Sequence, residues 1–385
     1  MASPTPNILV LNSGSSSLKF GVFAPDPGGE RLLLKGGAQQ IGRAGGKLEI
    51  LSASGERLLS EEHVLESQPD ALAKIAALLR ARLDAPPAAV GHRIVHGGPH
   101  LRQHQPLSPA VLAGLRSAVH FAPLHIPAAL SLVEQAERLF PAALQVACFD
   151  TAFHRTMPEA AARLPLPSQY FELGVIRYGF HGLSCESLVR QLGAGLPRRA
   201  VFAHLGSGCS VTAVLDGRSI DTSMGLTPAG GVPMSTRTGD LDPGVVLYLM
   251  RNQQMGADAL EQMLNRESGL CGISEGEGDM QALLARAAGG DARAALAVEA
   301  FCIAVRKFVA GYAALMGGLD LLVFTGGIGE NSADIRRRIC GALRFMGLHL
   351  EGPGGRVRVV GSDEEGQIAR HCRAFLGGAT QNRLA

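Results

Sequence analysis

The chain begins with a segment that is typical of a β-hairpin with a small, polar tip. Two apolar runs at residues 8–11 and 20–23 flank the sequence Asn-Ser-Gly-Ser-Ser-Ser-Leu-Lys at residues 12–19. Small, hydroxyl-rich residues between apolar runs favour a tight turn between two strands. Because the side chains of glycine and serine are small, a phosphate can approach the backbone N–H groups, the hydroxyls and the Lys19 ammonium of this tip. Taken alone, such a tip is more often an ordinary serine-rich turn.

Composition limits both the class of protein and the class of partner. A chain of 385 residues exceeds what one hydrophobic core usually organises, so two domains are expected. Hydrophobic residues at 46% and charged residues at 18% are typical of a globular protein, and a net charge of +2 predicts neither nucleic acid nor a membrane as partner. Seven scattered cysteines without a C-x-x-C pair, and no recognisable export signal at residues 1–6, favour a cytoplasmic location.

The order of hydrophobic patterns along the chain predicts an α/β fold. Residues 31–59 are expected to form further antiparallel strands, residues 70–83, 109–119 and 128–140 helices, and residues 89–96 and 144–149 strands. A second strand–turn–strand pattern at residues 201–214 precedes helical patterning over 283–316, a strand at 321–324, a helix from 335 and a final helix at 363–376, which could fold back on either half. Glycines interrupt the apolar stretch 308–329, so a membrane helix is the poorer interpretation.

These patterns predict two related α/β domains that face each other. The expected boundaries are residues 1–150, completed by the C-terminal helix at about 366–385, and residues 151–365.

Three glycine-rich turns follow predicted strands, at residues 12–19, 204–210 and 325–332. The third leads into an amphipathic helix that Asn331 or Ser332 is placed to cap, so its N–H groups can meet an anion. Each turn alone is weak evidence. Spread over both halves of the chain, the three turns favour a nucleotide cleft.

Arginine, histidine and aspartate residues next to glycine or at strand ends form a second set of candidates. They stand in segments 92–98, 149–154, 178–182 and 235–240, which contain Arg93, Asp150, His181 and Arg237. Each has a structural alternative. Arg93 could pair with a surface carboxylate, His181 could be a hydrogen-bonded core histidine, and Asp150 could cap a helix.

Together these motifs resemble those of the acetate kinase family. The matching motifs are N-x-G-S-S-S-L-K, G-H-R-x-V-H-G-G, F-D-T-A-F-H, Y-G-F-H-G, H-L-G-x-G, D-T-S-M-G-x-T-P, T-R-x-G-D-x-D-P and G-G-I-G-E-N, in the family's order over nearly the whole chain. The resemblance implies two ribonuclease-H-like domains of the actin-like ATPase fold around an ATP cleft, and a homodimer. It implies reversible transfer of the ATP γ-phosphoryl group to acetate, giving acetyl phosphate and ADP, with Mg²⁺ or Mn²⁺ as cofactor.

The resemblance also implies a role for individual residues. The catalytic set is Asp150, His181 and Arg237. Arg93 binds the substrate carboxylate, and an apolar pocket of Val95, Leu124, Phe180 and Pro228 holds its methyl group. Nucleotide contacts are expected from Ser15, Ser17, Lys19, His204, Leu205, Gly206, Ser207, Gly208, Asp279, Met280, Gln281, Gly327, Ile328, Gly329, Glu330 and Asn331. Asn12 and Glu364 are the expected metal residues.

The chemistry of these residue types agrees with that reaction. A carboxylate is ionised at pH 7, so the nucleophile needs no general base, and Asp150 is expected to position magnesium or its water. The difficulty lies in bringing an anionic oxygen to an anionic γ-phosphate, which the planar guanidinium groups of Arg93 and Arg237 relieve.

Three alternatives stay open at this point. Propionate kinase, or another short-chain carboxylate kinase, differs only in the acid, and one methylene in an apolar pocket is worth about 1–3 kcal/mol. A sugar kinase of the same superfamily needs Asp150 as a base and gives no reason for Arg93. An actin-like or Hsp70-like switch would hydrolyse ATP slowly and present a large partner surface.

Some positions depart from the family pattern on the nucleotide side. Ser207 stands where the family usually has asparagine, and Gln281 stands where it usually has arginine. Serine has a shorter hydrogen-bonding reach, and glutamine removes a cation. We therefore predict an ATP site that is weaker or less selective than is usual in the family.

Overall fold

The computed structural model describes residues 6–14, 17–123, 125–350 and 355–382. The chain divides into unit 1, which comprises Met1–Ala152 and Asp363–Ala385, and unit 2, which comprises Phe153–Ser362. Each unit contains one mixed β-sheet, as expected for an α/β fold. Among the described residues, none of the helices combines the length and the apolar character needed to cross a membrane.

Unit 1 is built on an eight-stranded sheet. Its strands are β1 (Ile8–Ser13), β2 (Ser17–Asp26), β3 (Gly29–Gln39), β4 (Lys47–Ser52), β5 (Arg57–Glu62), β6 (Ala89–Ile94), β7 (Gln105–Pro106) and β8 (Leu144–Phe149), in the spatial order β5-β4-β3-β2-β1-β6-β8-β7. Strands β1 to β5 pair antiparallel in sequence, which confirms the predicted hairpin and the strands that follow it. Strands β1, β6 and β8 run parallel, so their C-terminal ends share one edge of the sheet.

The N-terminal region also contains α1 (Gln68–Arg80), α2 (Pro109–Ser117) and α3 (Ile126–Leu139). Helices α1 and α3 pack on the sheet, and α2 packs against α3. Helix α1 begins where the Ser67 hydroxyl accepts a hydrogen bond from the Asp70 N–H group. Its apolar face, including Leu72, Ile75 and Leu79, is buried in the core with residues of β1 and β2. The helical periodicity of residues 70–83 is thus confirmed.

Unit 2 is built on a five-stranded sheet. Its strands are β9 (Arg199–Leu205), β10 (Cys209–Leu215), β11 (Arg218–Thr222), β12 (Leu321–Thr325) and β13 (Val357–Val359), in the order β11-β10-β9-β12-β13. Its helices are α4 (Glu159–Ala162), α5 (Ser168–Glu172), α6 (Gly182–Leu192), α7 (Pro243–Asn252), α8 (Ala257–Gln262), α9 (Gly269–Ser274), α10 (Met280–Ala288), α11 (Ala292–Leu315), α12 (Gly326–Asn331) and α13 (Ala333–Gly341). A π-helical turn, Met263–Glu267, lies between α8 and α9. The predicted hairpin of β9 and β10 is confirmed.

Two details of unit 2 differ from the sequence predictions. The helical pattern over 283–316 is divided between α10 and α11, because α10 ends at Ala288 with Gly289 as its C-cap and the Asp291 carboxylate caps the start of α11. The predicted glycine loop after β12 is the short helix α12. Ser332, one of the two predicted caps, accepts a hydrogen bond from the Ile335 N–H group at the start of α13.

The chain returns to unit 1 in its last helix, α14 (Glu364–Asn382). Ile368 and Cys372 of α14 are fully buried. They pack against Gly91 of β6 so closely that a Cβ atom there would overlap Ile368 and lie 2.7 Å from the Cys372 sulfur. Glycine at this position therefore lets the helix approach the strand, and it brings the N-terminus of α14 to the strand ends of unit 1.

Candidate active site

The first group of candidate residues lies where the parallel strands of unit 1 end. Asn12 is near the end of β1, Arg93 is near the end of β6, and Asp150 directly follows β8. The pairing of Leu11 with His92 and of Arg93 with Cys148 places these ends side by side. Ligands of α/β proteins usually bind at this edge of a sheet. The register of three strands thus assembles a site from residues that are distant in sequence.

Arg93 lies at the centre of this group and is largely buried. Its Nη2 atom is 2.5 Å from Asp150 Oδ2, and its Nη1 atom donates to Asn12 Oδ1 at 3.3 Å. Its Nε atom lies 3.9 Å from Glu364 Oε2, beyond hydrogen-bonding distance, and has no hydrogen-bond partner among the described residues. The Asn12 amide donates in turn to Glu365 Oε1 at 2.9 Å and to Glu364 Oε2 at 3.4 Å. We call Asn12, Arg93, Asp150, Glu364 and Glu365 the carboxylate cluster.

The electrostatics of the carboxylate cluster keep Arg93 charged. Burial alone would lower the pKa of Arg93, but the nearby carboxylates of Asp150, Glu364 and Glu365 outweigh it and raise the pKa above its ordinary value. The structural alternative of a surface ion pair does not describe this arrangement, because the Asp150 side chain is 1% exposed.

The first hairpin of unit 1 carries a cation, Lys19, near its tip and close to Asn12 of the carboxylate cluster. Lys19 is exposed and lies directly opposite Asn12 in the β1–β2 ladder, so the two side chains share one face. The Gly14 N–H group donates to the Ser17 carbonyl at 2.8 Å, which closes the turn. Ser15, predicted to contact the nucleotide, lies outside the described residues.

The second group of candidates lies in unit 2 around the turn between β9 and β10. A Cβ atom on Gly208 would lie 3.3 Å from His181 Nε2 and 3.6 Å from Arg237 Nη1, so both side chains face this turn. His204 stacks on His181 with ring centroids 4.2 Å apart. We call His181, His204, Gly208 and Arg237 the phosphate cluster, because two imidazoles and a guanidinium beside a glycine turn are the groups that bind phosphate.

Serine hydroxyls orient the two histidines. His181 Nδ1 is 3.0 Å from Ser210 Oγ, and His204 Nδ1 is 2.9 Å from Ser184 Oγ. His181 itself has a left-handed backbone with φ of 58° at the start of α6. Such a conformation is uncommon for a residue other than glycine and is often found at functional sites.

The segment that precedes His181 is held by a fully buried histidine. His154 Nε2 lies 2.9 Å from the Phe180 carbonyl, and His154 Nδ1 lies 2.9 Å from Ser219 Oγ. Because a carbonyl only accepts, Nε2 carries the proton and Nδ1 accepts from the serine. Burial lowers the pKa of His154 to about 4, so the ring is neutral at pH 7.

The residues predicted for the substrate methyl group are distributed over both units. Val95 follows β6 in unit 1 and is partly buried. Phe180 and Pro228 belong to unit 2, where Phe180 is 1% exposed and the Pro228 carbonyl accepts from Arg237 Nη1 at 3.2 Å. Leu124 lies outside the described residues. The roles of these four residues stay predictions.

The residues predicted to bind the nucleoside lie at helix starts in unit 2. Asp279 caps α10 by accepting from the Ala282 N–H group at 2.9 Å, while Met280 is buried and Gln281 is exposed. Glu330 Oε1 accepts from the Gly326 N–H group at 2.9 Å and from the Ser362 N–H group at 3.1 Å. Both carboxylates therefore support the backbone of their own segment.

The remaining predicted nucleotide residues lie in the β9–β10 turn and in α12. In the β9–β10 turn, Leu205 is buried, Gly206 donates its N–H group to the Gly208 carbonyl, and Ser207 is exposed. The segment Gly327, Ile328, Gly329 and Asn331 belongs to α12.

Several residues of these clusters were not among the sequence predictions. Glu365 enters through the adjacent acidic pair at the start of α14, a pattern that was visible but assigned to Glu364 alone. Ser210 is the last residue of the predicted turn 204–210, and Ser184 stands two residues after the candidate segment 178–182. Nothing in their spacing indicates which histidine each would contact. Their roles depend on the β9–β10 register and on the position of α6.

Comparisons with known proteins agree with this fold. The family model described as the acetokinase family matches residues 7–366. The acetate kinase of Treponema denticola is 39% identical over 362 residues, which cover 91% of this chain and 91% of that protein. The crystal structure of Porphyromonas gingivalis acetate kinase matches with a TM-score of 0.86 at 35% identity, covering 96% of this chain and 100% of that one.

A propionate kinase from Francisella tularensis is equally similar in structure. Its TM-score is 0.89 at 36% identity, and the match covers 95% of this chain and 98% of that one. Relatives that match nearly the full length of the chain are thus named for two different acids, acetate and propionate, within one family. The chain belongs to the acetokinase family.

Proposed function

We propose that this chain is an acetate kinase, which transfers the γ-phosphoryl group of ATP to acetate in a reversible, in-line reaction. A carboxylate oxygen of acetate forms a bond to the γ-phosphorus, and the bond from that phosphorus to the β–γ bridging oxygen breaks. The electron pair of the broken bond leaves with ADP. No proton is removed from the nucleophile, because acetate is already ionised at pH 7.

The observation that carries this proposal is the state of Arg93. Two of its nitrogens are engaged by Asp150 and Asn12, whereas the buried Nε atom has no hydrogen-bond partner among the residues that the structure describes. A buried donor without a partner is costly, so it indicates a ligand that accepts a hydrogen bond. A small carboxylate satisfies that donor and is attracted by the guanidinium charge.

The carboxylate cluster also fits a divalent cation. Asn12, Asp150, Glu364 and Glu365 supply amide and carboxylate oxygens, which are the donors that Mg²⁺ and Mn²⁺ prefer. Three carboxyl groups around one guanidinium leave an excess of negative charge that a cation would neutralise. When bound with ATP, Mg²⁺ reduces the negative charge of the phosphates. We propose Asn12, Asp150 and Glu364 as the residues that hold it, directly or through water.

In unit 2 we assign the phosphate cluster to the transferred group. Arg237 and His181 both face Gly208, so a phosphate beside this turn can accept hydrogen bonds from a guanidinium and an imidazole at once. Cationic and hydrogen-bonding groups fixed before the reaction lower the energy of a transition state whose charge spreads over three phosphoryl oxygens.

Acid preference and nucleotide preference belong to the same proposal. Acetate is the proposed acceptor and propionate is the second candidate, favoured by the similarity to the Francisella propionate kinase. Ser207 and Gln281 are both exposed, and we propose that they make ATP binding weaker or less selective than is usual in the family. A cytoplasmic location is also proposed, because all seven cysteines are free thiols.

A homodimer completes the proposal. Helix α7 contains no buried residue, although Val245, Leu247, Tyr248 and Met250 are apolar and between 39% and 57% exposed. An apolar helix that its own unit leaves uncovered usually marks a protein interface. A second copy of the chain is the proposed partner at α7.

Trapping of acyl phosphate with hydroxylamine tests the activity. Purified protein is incubated with MgATP and acetate, propionate, butyrate or glycerol, and acyl hydroxamate and ADP are measured in parallel. We expect hydroxamate with acetate, less with propionate, and none with glycerol. Repeating the acetate reaction with GTP, CTP and UTP is expected to give measurable turnover.

Each alternative has its own outcome in this experiment. More hydroxamate with propionate than with acetate would identify a propionate kinase. ADP formation that depends on glycerol would support a sugar kinase, and ADP formation indifferent to every acid would support an ATP-driven switch. Tight, strictly ATP-selective turnover would contradict the proposed effect of Ser207 and Gln281.

A further inference from the structure

Arg237 lies in a part of unit 2 that has no regular secondary structure of its own. Residues 223–242 form neither helix nor strand. Loops of this length are uncommon inside a compact unit and are usually functional. A guanidinium that stabilises a transition state must nevertheless be held to a fraction of an ångström. Within the loop, the Met234 N–H group donates to the Arg237 carbonyl at 3.0 Å. The backbone around Arg237 also has support from outside the loop.

The contacts of the loop identify that support as the segment from the π-helical turn to the start of α9. The Thr238 N–H group donates to the Leu264 carbonyl at 3.1 Å, and Thr236 Oγ1 donates to the Asn265 carbonyl at 2.9 Å. These two bonds flank Arg237 on either side. Farther along, the Leu270 N–H group donates to the Met234 carbonyl at 2.8 Å. The Ser268 N–H group donates to Thr236, and the Cys271 N–H group donates to Ser235.

The position of Leu264 and Asn265 at the end of a short helix explains why their carbonyls are accessible. A helix of five residues with bonds from residue i to i+5 leaves its last carbonyl groups without partners inside the helix. Here the freed Leu264 and Asn265 carbonyls accept from the loop, and the Met263 carbonyl accepts from Ser268 Oγ at 2.7 Å. The end of the π turn thus supplies acceptors to Thr236 and Thr238.

Gly269 provides the close approach that these bonds need. Its φ is +60°, a left-handed conformation that favours glycine, and a Cβ atom there would overlap the carbonyl oxygens of Met234 and Arg237. The same Cβ atom would lie 3.1 Å from the Arg237 backbone nitrogen. Any side chain at residue 269 therefore pushes directly on the backbone of Arg237.

We propose that the π-helical turn 263–267 and Gly269 form a positioning element for Arg237. This inference rests on the proposed function, in which Arg237 stabilises the transferred phosphoryl group. The element acts through the backbone of residues 234–238 and touches no reactant itself. Its loss shifts the guanidinium relative to the Gly208 turn, and misplacement of about 1 Å can cost roughly 100-fold in rate.

Thr236→Val tests the proposal with little change in side-chain volume. The substitution removes the hydrogen bond to the Asn265 carbonyl, so we expect kcat to fall by about 10-fold to 100-fold, with the KM for ATP and acetate changed less than about twofold. Thr236→Ser restores the hydroxyl and should recover most of the turnover. Gly269→Ala is expected to lower kcat further, with circular dichroism and the melting temperature recorded to verify folding.

Gly256→Ala is the matched control. Gly256 precedes α8 on the same stretch of chain, has an ordinary φ of −76°, and has open space around its missing Cβ atom. We expect its kinetics to equal those of the wild type. Should Gly269→Ala fail to fold, the comparison of Thr236→Val with Thr236→Ser still decides.

Arg237→Lys, measured alongside, distinguishes a failure of the positioning role from a failure of the proposed function. If Arg237→Lys loses turnover while folded Thr236→Val keeps wild-type kcat, the positioning role is wrong and the proposed function stands. If Arg237→Lys keeps wild-type turnover, the proposed role of Arg237 fails and the positioning role fails with it. A fall in turnover for Thr236→Val that Thr236→Ser does not reverse would also overturn the proposal, because the hydroxyl would then not be the cause.

Discussion

Arg93 and Arg237 have different proposed roles in the same reaction. Arg93 is held by Asp150 and Asn12 in a buried cluster, and we propose that its remaining nitrogen, Nε, binds a substrate carboxylate. Arg237 faces the Gly208 turn together with His181, where we propose that it binds the transferred phosphoryl group. Both positions use the planar, fixed geometry of guanidinium, which can bind two oxygens at once. A lysine ammonium carries the same charge and lacks that geometry.

Replacement of Arg237 by lysine therefore tests geometry separately from charge. We expect Arg237→Lys to lower kcat by about 1,000-fold or more, because arginine at a phosphoryl-transfer transition state contributes on that scale, while the KM for acetate changes little. Steady-state kinetics with the hydroxamate assay measure both. Arg198→Lys, at an exposed ion pair with Asp216, serves as the control and should be silent. Unchanged turnover of Arg237→Lys would contradict the assignment.

His154 links stability to pH through its burial. Its pKa is about 4 in the folded chain against 6.5 ordinarily, so between these values the unfolded chain binds a proton that the folded chain does not. Stability must therefore fall as the pH falls through this window. We expect the loss of unfolding free energy between about pH 7 and pH 5 to be smaller by about 2 kcal/mol in His154→Gln than in the wild type.

Urea unfolding followed by circular dichroism measures this difference. The variant should also be less stable at pH 7, because the Phe180 carbonyl loses its buried donor. His349→Gln, at an exposed histidine, is the control and should show the pH dependence of the wild type. Part of that dependence persists in every variant, since burial also lowers the pKa of His92 to about 4. Equal losses in wild type and His154→Gln would show that His154 titrates normally.

At the level of elements, the sequence predicts what depends on local patterns. The β1–β2 and β9–β10 hairpins are confirmed because apolar runs around a small turn determine both strands and register. Helix α12 was predicted as a loop, since its glycines disfavour a helix, whereas the Glu330 carboxylate binds the N–H group at its start. The π-helical turn has no sequence signal that we recognise, because two of its carbonyls accept from the loop of Arg237, which is distant in sequence.

In the candidate site, too, some residues are predicted by sequence motifs and others are identified only by the packing of the elements. Asn12, Arg93, Asp150 and Glu364 were named from motifs, and strand register together with α14 brings them into contact. Ser184 and Ser210 escape prediction because their partners are chosen by packing between elements, which a motif does not encode. Residue types at strand ends can therefore be predicted, whereas the groups that orient them require the assembled unit.

At the level of the whole molecule, the exposed apolar helix α7 predicts a second copy of the chain. Val245 and Tyr248 lie on one side of the helix, Leu247 and Met250 lie on the other, and none of these residues is buried in its own unit. A stable dimer usually buries about 800 Å² on each partner, and tyrosine is enriched at the centre of such interfaces. We therefore expect the wild type to have twice the mass of the chain in solution.

Tyr248→Glu places a charge at the most exposed of these four side chains and should convert the dimer into monomers. Burying a carboxylate that has no partner costs several kcal/mol, which exceeds the free energy that neighbouring contacts contribute to the dimer. Size-exclusion chromatography with light scattering gives the mass directly. Leu173→Glu, at an apolar residue of unit 2 that is 67% exposed outside α7, is the matched control and should leave the mass unchanged. A wild type that is monomeric at micromolar concentration, or a Tyr248→Glu variant that stays dimeric, would show that α7 does not join two copies.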